Sequence, residues 1–108
     1  FVYEFAEDAG SPDGMTIDLE ENLWVALWGG GKVVCLSPDG RLIRELALPV
    51  SQPTSLAFGG EKYESLFITS ASYMLDEKKL ESEPLAGSIF VADVATRGRA
   101  EIKFALSR

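Results

Sequence analysis

The apolar positions of this chain fall into short runs and not into a helical stripe. In the first half, residues 15–18, 23–26, 32–36 and 42–46 are each rich in branched or aromatic side chains, and Glu20-Glu21-Asn22, Gly29-Gly30-Gly31 and Pro38-Asp39-Gly40 stand between them. Runs of that length bounded by turn formers predict β-strands. The second half repeats the scheme at 55–58, 65–69, 88–92 and 101–105, with Gly59-Gly60-Glu61 and Thr96-Arg97-Gly98 as turns. The copies begin at Pro12 and Pro53, 41 residues apart, and match at Trp24 against Phe67 and at Gly31 against Gly87. Short strands repeating at that period are the signature of propeller blades. Residues 1–5 alternate like the outer strand of a preceding blade.

The copies differ after their second strand, where the first has a tight glycine turn and the second an insertion, residues 71–86. Within the insertion, Met74 to Leu80 has the pattern of about two helical turns, with Pro84 to end them. The insertion reads as a crossover covering one end of its sheet, in preference to a substrate lid. The chain therefore divides into 1–11, the end of a preceding blade and an entry loop; 12–52, a blade; and 53–108, a blade carrying the inserted segment 71–86. The expected fold is all-β, about two four-stranded blades of a propeller. A closed propeller takes roughly 4 to 8 blades, so this arrangement is partial.

Composition narrows the chemistry. The net charge is −7, and Lys and Arg are scattered apart from Lys78-Lys79, so no basic stripe exists for a phosphate backbone and nucleic acid is not expected as a partner. No run approaches the roughly 18 to 20 apolar residues of a membrane span, the first residues lack the basic start of a secretory signal, and no membrane partner is expected. The chain opens on Phe, not Met, and so reads as an interior or processed piece. Its single cysteine, Cys35, lies in the apolar run Val33-Val34-Cys35-Leu36, where a buried inert thiol is the expectation, and this fits a reducing, cytoplasmic location. The absence of His removes Ser-His-Asp chemistry and His-rich zinc sites unless another chain contributes the His. A carboxylate becomes the first choice of general base, and oxygen donors the first choice of metal ligand.

Ser-Pro-Asp-Gly occurs twice, at 11–14 and 37–40. In the second copy Asp39-Gly40 joins two strands, as a hairpin turn requires: Gly for a positive φ and Asp for a local hydrogen bond. The first copy stands ahead of the innermost strand of its blade, the strand that lines a propeller's central channel. Asp13 is thus either a turn residue or an acid facing the axis, and the residues alone leave both open. Asp18 reads as a strand-end turn residue, and Glu20, Glu21 and Asn22 lack the spacing of a calcium loop and read as a solvated hairpin. Trp24 reads as packing between blades. Trp28 reads first the same way and second as an aromatic wall for a sugar ring. Thr54 takes, in the second repeat, the place of Asp13 in the first, where its hydroxyl could face a substrate.

The stretches Ser11-Pro12-Asp13-Gly14-Met15-Thr16-Ile17-Asp18 and Asn22-Leu23-Trp24-Val25-Ala26-Leu27-Trp28-Gly29-Gly30-Gly31 together resemble the senescence-marker-protein, regucalcin and gluconolactonase family of metal-dependent lactonases. The resemblance continues through Leu48-Pro49, Pro53-Thr54-Ser55, Ala57-Phe58-Gly59-Gly60, Leu66-Phe67-Ile68-Thr69-Ser70-Ala71 and Pro84-Leu85-Ala86-Gly87. It implies a six-bladed β-propeller of which this chain is about the C-terminal third, completed by the rest of a longer protein or by a homo-oligomer of three copies. Asp13 falls on the Asp of the family's Pro-Asp-Gly-Met motif. The resemblance therefore implies that Asp13 ligates a catalytic divalent cation (Ca²⁺, Mg²⁺, Zn²⁺ or Mn²⁺) and is the leading candidate for general base, with ligand ranked above base. The family's Glu and Asn ligands come from earlier blades and have no counterpart here, while Trp28 falls near the mouth of the family's channel.

The implied chemistry is metal-assisted hydrolysis of a cyclic ester such as gluconolactone, with Asp13 orienting the attacking water or taking its proton. The expected function is a part of such a sugar lactonase, incomplete in this chain alone. The alternative is a non-catalytic partial propeller that forms an oligomer or a calcium-binding module.

Overall fold

The computed structural model describes residues 4–94 together with Thr96 and Gly98. Strands β1 (Ser11–Ile17), β2 (Leu23–Trp28), β3 (Lys32–Leu36) and β4 (Leu42–Ala47) lie side by side in chain order in one antiparallel sheet. Strands β5 (Pro53–Gly59), β6 (Ser65–Ser70) and β7 (Ile89–Asp93) do the same in a second. The innermost strand of the second sheet, β5, packs along β1 and β2 of the first, so the sheets stand as successive blades of a propeller-type all-β fold. The expected strand at 101–105, the alternating residues 1–3 and Arg97 of the expected turn lie outside the described residues.

Strand β3 matches the sequence reading residue for residue, whereas β1 and β5 start earlier than expected. Each begins at or before a proline that a central strand would not tolerate. Both β1 and β5 are edge strands, where the missing proline N–H costs no ladder bond. The Ser-Pro-Asp-Gly at 11–14 is therefore strand and not turn. Its twin is a turn: Ser37 N donates to Arg41 O (2.8 Å), Gly40 N to Ser37 O (2.9 Å) and Arg41 N to Ser37 Oγ (3.0 Å). Gly40 takes the left-handed φ of 86° that closes this hairpin. The Ser37 hydroxyl also donates to Asp39 and holds that carboxyl below its ordinary value.

The core lies between the blades. Trp24, Ala26, Val33 and Cys35 from the first sheet meet Leu56, Phe58, Leu66 and Ile68 from the second, with Val94 closing the cluster. The Trp24 and Phe58 rings meet edge to face, with centroids 6.0 Å apart and planes at 87°. On another side the Arg44 guanidinium sits 5.3 Å from the Trp24 ring centre and donates to the carbonyl of Val94. Burying an indole of this size contributes about 3 kcal/mol to holding the blades together. On the far face of the first sheet, Val25, Leu27, Val34 and Leu36 form a second cluster with Phe5 and Leu23.

The helix of the insertion is α1 (Glu77–Ser82), starting three residues later than the pattern suggested. Met74 has a left-handed φ of 58°, which no helix accommodates, and Asp76 supplies the N-cap by accepting from Lys79 N at 2.8 Å. The helix is followed by Glu83, which is 7% exposed although charged. Its Oε1 accepts from Ser51 N (2.6 Å) and Ser51 Oγ (3.0 Å), while Lys79 Nζ lies 3.1 Å from Oε2. Those bonds, the Ser51 amide first, lower the Glu83 pKa below its ordinary value. The insertion is thereby stapled to the linker between the blades.

Candidate functional site

Both innermost strands carry a β-bulge at the same point of the repeat. In β1, Pro12 pairs with Leu27 and Met15 with Val25, so Asp13 and Gly14 stand opposite Ala26 alone. In β5, Pro53 pairs with Ser70, Ser55 with Thr69 and Leu56 with Ile68, and Thr54 is the extra residue. A bulge breaks strict alternation and re-aims a side chain, which is why bulges recur beside functional sites. The two residues singled out from the repeat, Asp13 and Thr54, are thus the two bulge residues. Asp13 is exposed, and Thr54 is half-buried.

The bulges touch. A Cβ on Gly14 would lie 2.4 Å from Ser55 Oγ and 2.6 Å from Ser55 Cα, so only glycine lets the strands approach this closely. Asp13 and Thr54 each precede one member of that contact. Trp28, half-buried, ends β2 opposite Ser11, at the same end of the sheet. Asp13, Thr54 and Trp28 are therefore gathered at one end of the two blades.

Thr69, which the sequence did not single out, ties the second bulge together. Its Oγ1 lies 2.6 Å from Thr54 Oγ1, accepts from Ser55 N at 3.1 Å and reaches Ser55 O at 3.3 Å. The signal for it was a hydroxyl at the place where the first repeat has Ala26.

Asp18 lies at the other end of β1 and is fully buried. Its Oδ1 accepts from Glu20 N (2.8 Å) and Asn22 N (2.9 Å), and its Oδ2 from the indole N–H of Trp24 (2.9 Å). Every bond serves the hairpin or the core, as the sequence reading as a turn residue expected. Beside it opens a cleft of about 240 Å³ lined in part by Trp24, Cys35 and Arg44. Burial, and next the charge of Asp18, push the Cys35 thiol up to about 11, so it stays protonated and inert at neutral pH.

Carboxylate and hydroxyl oxygens suit a hard divalent cation, so Asp13 fits the part of one ligand. Among the described residues, no three His, Cys, Asp or Glu side chains gather into a metal cluster.

Residues 1–72 match the SMP-30/Gluconolactonase/LRE-like region, two thirds of the chain. This chain belongs to that family. Regucalcin of Gallus gallus is 43% identical over 90 residues, covering 82% of this chain and 30% of that protein. The 6-deoxy-6-sulfogluconolactonase of Pseudomonas putida is 42% identical over 103 residues, covering 94% of this chain and 35% of that enzyme. Among solved structures, the calcium-binding protein regucalcin from Agrobacterium tumefaciens superposes with a TM-score of 0.91 at 31% identity, covering 97% of this chain and 36% of that one. The chain thus spans about a third of the length of the relatives it matches. No helix among its described residues is long and apolar enough to cross a membrane.

Proposed function

We propose that this chain is part of a divalent-cation-dependent hydrolase of sugar lactones in the cytoplasm, and that Asp13 is a ligand of the cation. The observation that carries this reading is the exposed carboxylate on a bulge of an innermost strand, at the point where two blades touch. In such a site the cation, of the class Ca²⁺, Mg²⁺, Zn²⁺ or Mn²⁺, supplies Lewis-acid polarisation of the lactone carbonyl. Asp13 would hold the cation with its carboxylate, and its remaining acceptor capacity would orient the attacking water or take its proton. Thr54 presents a hydroxyl to the sugar, and Trp28 an aromatic wall beside it.

The blade boundaries that go with this reading are 12–52 and 53–108, with 1–11 belonging to the end of a preceding blade and the entry loop. One carboxylate holds a hard cation weakly, so the 108-residue chain alone is expected to show no metal-dependent turnover. The test is a pH-stat assay of gluconolactone hydrolysis, with and without chelator. It is run on this chain and on a polypeptide that adds the preceding blades. Cation-dependent turnover in the longer species that Asp13→Asn leaves intact would sink the assignment.

A second reading, a non-catalytic partial propeller that assembles or binds calcium, rests on the outer face of the second blade. Phe67, Ile89 and Val91 are 37%, 65% and 61% exposed on neighbouring strands, whereas Trp24, the counterpart of Phe67, is 1% exposed beneath the second blade. That face calls for a further blade, from a longer polypeptide or from another copy. Sedimentation of the chain distinguishes the two, since only the second source gives a stable oligomer without turnover.

A further inference from the structure

The hydroxyl of Thr69 reaches three polar atoms of the β5 bulge at once: Thr54 Oγ1, Ser55 N and Ser55 O. A bulge leaves ladder groups unpaired, and this side chain occupies them. Ser55 N–H donates to Thr69 Oγ1, and the Thr69 proton goes either to Ser55 O or to Thr54 Oγ1. In the first arrangement Thr54 donates to Thr69 and turns its lone pairs outward, while in the second Thr54 accepts and turns its own O–H outward. The proton arrangement at Thr69 and the face Thr54 shows to a ligand are thereby coupled: acceptor in the first arrangement, donor in the second. The lock also reaches the neighbouring blade, because the Ser55 it fixes is the residue against which Gly14 is pressed, one position from Asp13.

We propose that Thr69 is a positioning residue whose hydroxyl fixes the β5 bulge, and through the Ser55–Gly14 contact fixes the Asp13 carboxylate across the blade boundary. Among the described residues, no side-chain hydrogen bond comparable to Thr69's holds the first bulge from its own blade, since the residue opposite Asp13 and Gly14 is Ala26. In this proposal the hydrogen-bonded second bulge is the reference against which the acid of the first is set. This inference rests on the reading of Asp13 as a ligand for its functional meaning, but its structural content stands by itself.

The test uses the full chain with Thr69→Val, which keeps the shape and removes the hydroxyl, and Thr69→Ser, which keeps the hydroxyl. Loss of a single hydrogen bond is expected to speed exchange of the Ser55 amide about fivefold to tenfold in Thr69→Val. In the same variant the Gly14 amide and the Asp13 side-chain carboxyl resonances move, while Thr69→Ser restores all three signals. Unmoved Asp13 and Gly14 resonances in Thr69→Val, or failure of Thr69→Ser to restore them, would overturn the proposal. Should Thr69→Val fail to fold, Thr54→Val with Thr69 intact gives the second measurement. It is expected to leave the Ser55 amide protected, and loss of that protection would assign the lock to Thr54 instead. Titration with CaCl₂ of the polypeptide that adds the preceding blades judges the cation reading separately: an Asp13 carboxyl that never responds there counts against Asp13 as a ligand and leaves the resonance comparison in the unextended chain to decide the lock.

Discussion

The two blades solve the same backbone problem and treat the result in opposite ways. Each innermost strand has a proline at its first or second position and inserts a bulge directly after it. In the second blade the bulge side chain is tied: Thr54 meets Thr69 at 2.6 Å, and Thr69 also takes the Ser55 amide. In the first blade Asp-Gly replaces Thr-Ser and Ala26 replaces Thr69, so the residue opposite the bulge has no side-chain donor, and the carboxylate stands exposed. A group that is to meet a ligand must not be consumed by its own scaffold. The difference agrees with the proposal that the first bulge receives a ligand while the second is held by its own blade.

The same contrast runs through the opposite ends of these strands, and there the largest effect is expected. In the first blade Asp18 collects two backbone amides and the Trp24 indole, whereas its counterpart in the second is Gly59, which has no side chain to offer. Asp18→Ala leaves three donors without their partner in a buried place and should destabilise the chain by about 3 kcal/mol. Urea unfolding followed by Trp fluorescence measures it, and a loss under about 1 kcal/mol would mean that water replaces the carboxylate there.

Next in size is the contact between the bulges. Gly14→Ala drives a methyl group to within 2.6 Å of the Ser55 backbone and should cost about 2 kcal/mol through forced separation of β1 and β5. Ser55→Gly in the same chain removes the hydroxymethyl side of the clash and should recover part of the loss. Equal stabilities for the single and double variants in urea would show that the blades do not meet at this point in solution.

Much of this was legible in the sequence, and what was not has definite causes. Strands announced themselves because branched and aromatic runs sat between Gly, Pro and Asp, and the Pro12 to Pro53 repeat placed Thr54 on Asp13 before any coordinates. The identical Ser-Pro-Asp-Gly tetrapeptides were harder, because the local sequence is the same and only strand pairing makes one a hairpin and the other a bulge. Glu83 and Thr69 were invisible for a related reason. A buried glutamate is recognisable only when Ser51, 32 residues away, is known to lie against it, and a threonine in a strand looks like ordinary β-propensity until a bulge turns to meet it. The family resemblance supplied the chemical meaning of Asp13, which neither its position nor its exposure states.

A smaller effect concerns the insertion, which only the second blade possesses. Glu83 is stabilised as an anion by Ser51 and Lys79, so its pKa is lower in the folded chain than the unfolded value of 4.5. A lowered acid contributes stability that is fully present above that unfolded value and is lost as pH falls through the folded one. Glu83→Gln should therefore cost about 1 kcal/mol at pH 6 and progressively less as the pH falls below 4.5, read as the difference in urea midpoints between variant and unsubstituted chain. A cost that stays the same over that range would assign the staple to packing of the side chain and not to its charge.

The smallest expected effect on stability belongs to the residue with the largest expected effect on function. Asp13 is exposed on a bulge, so Asp13→Asn should change the unfolding free energy by less than about 0.5 kcal/mol. The amide is close in shape but carries no charge, and a hard cation prefers the anionic oxygen. In the species that hydrolyses lactone, the same substitution should lower turnover at least a hundredfold, with the residue not restored by raising the cation concentration if Asp13 also handles the water's proton. If excess cation does restore turnover, Asp13 is a ligand only. A variant that loses stability and activity together would instead make Asp13 part of the scaffold and erase the difference between the two bulges.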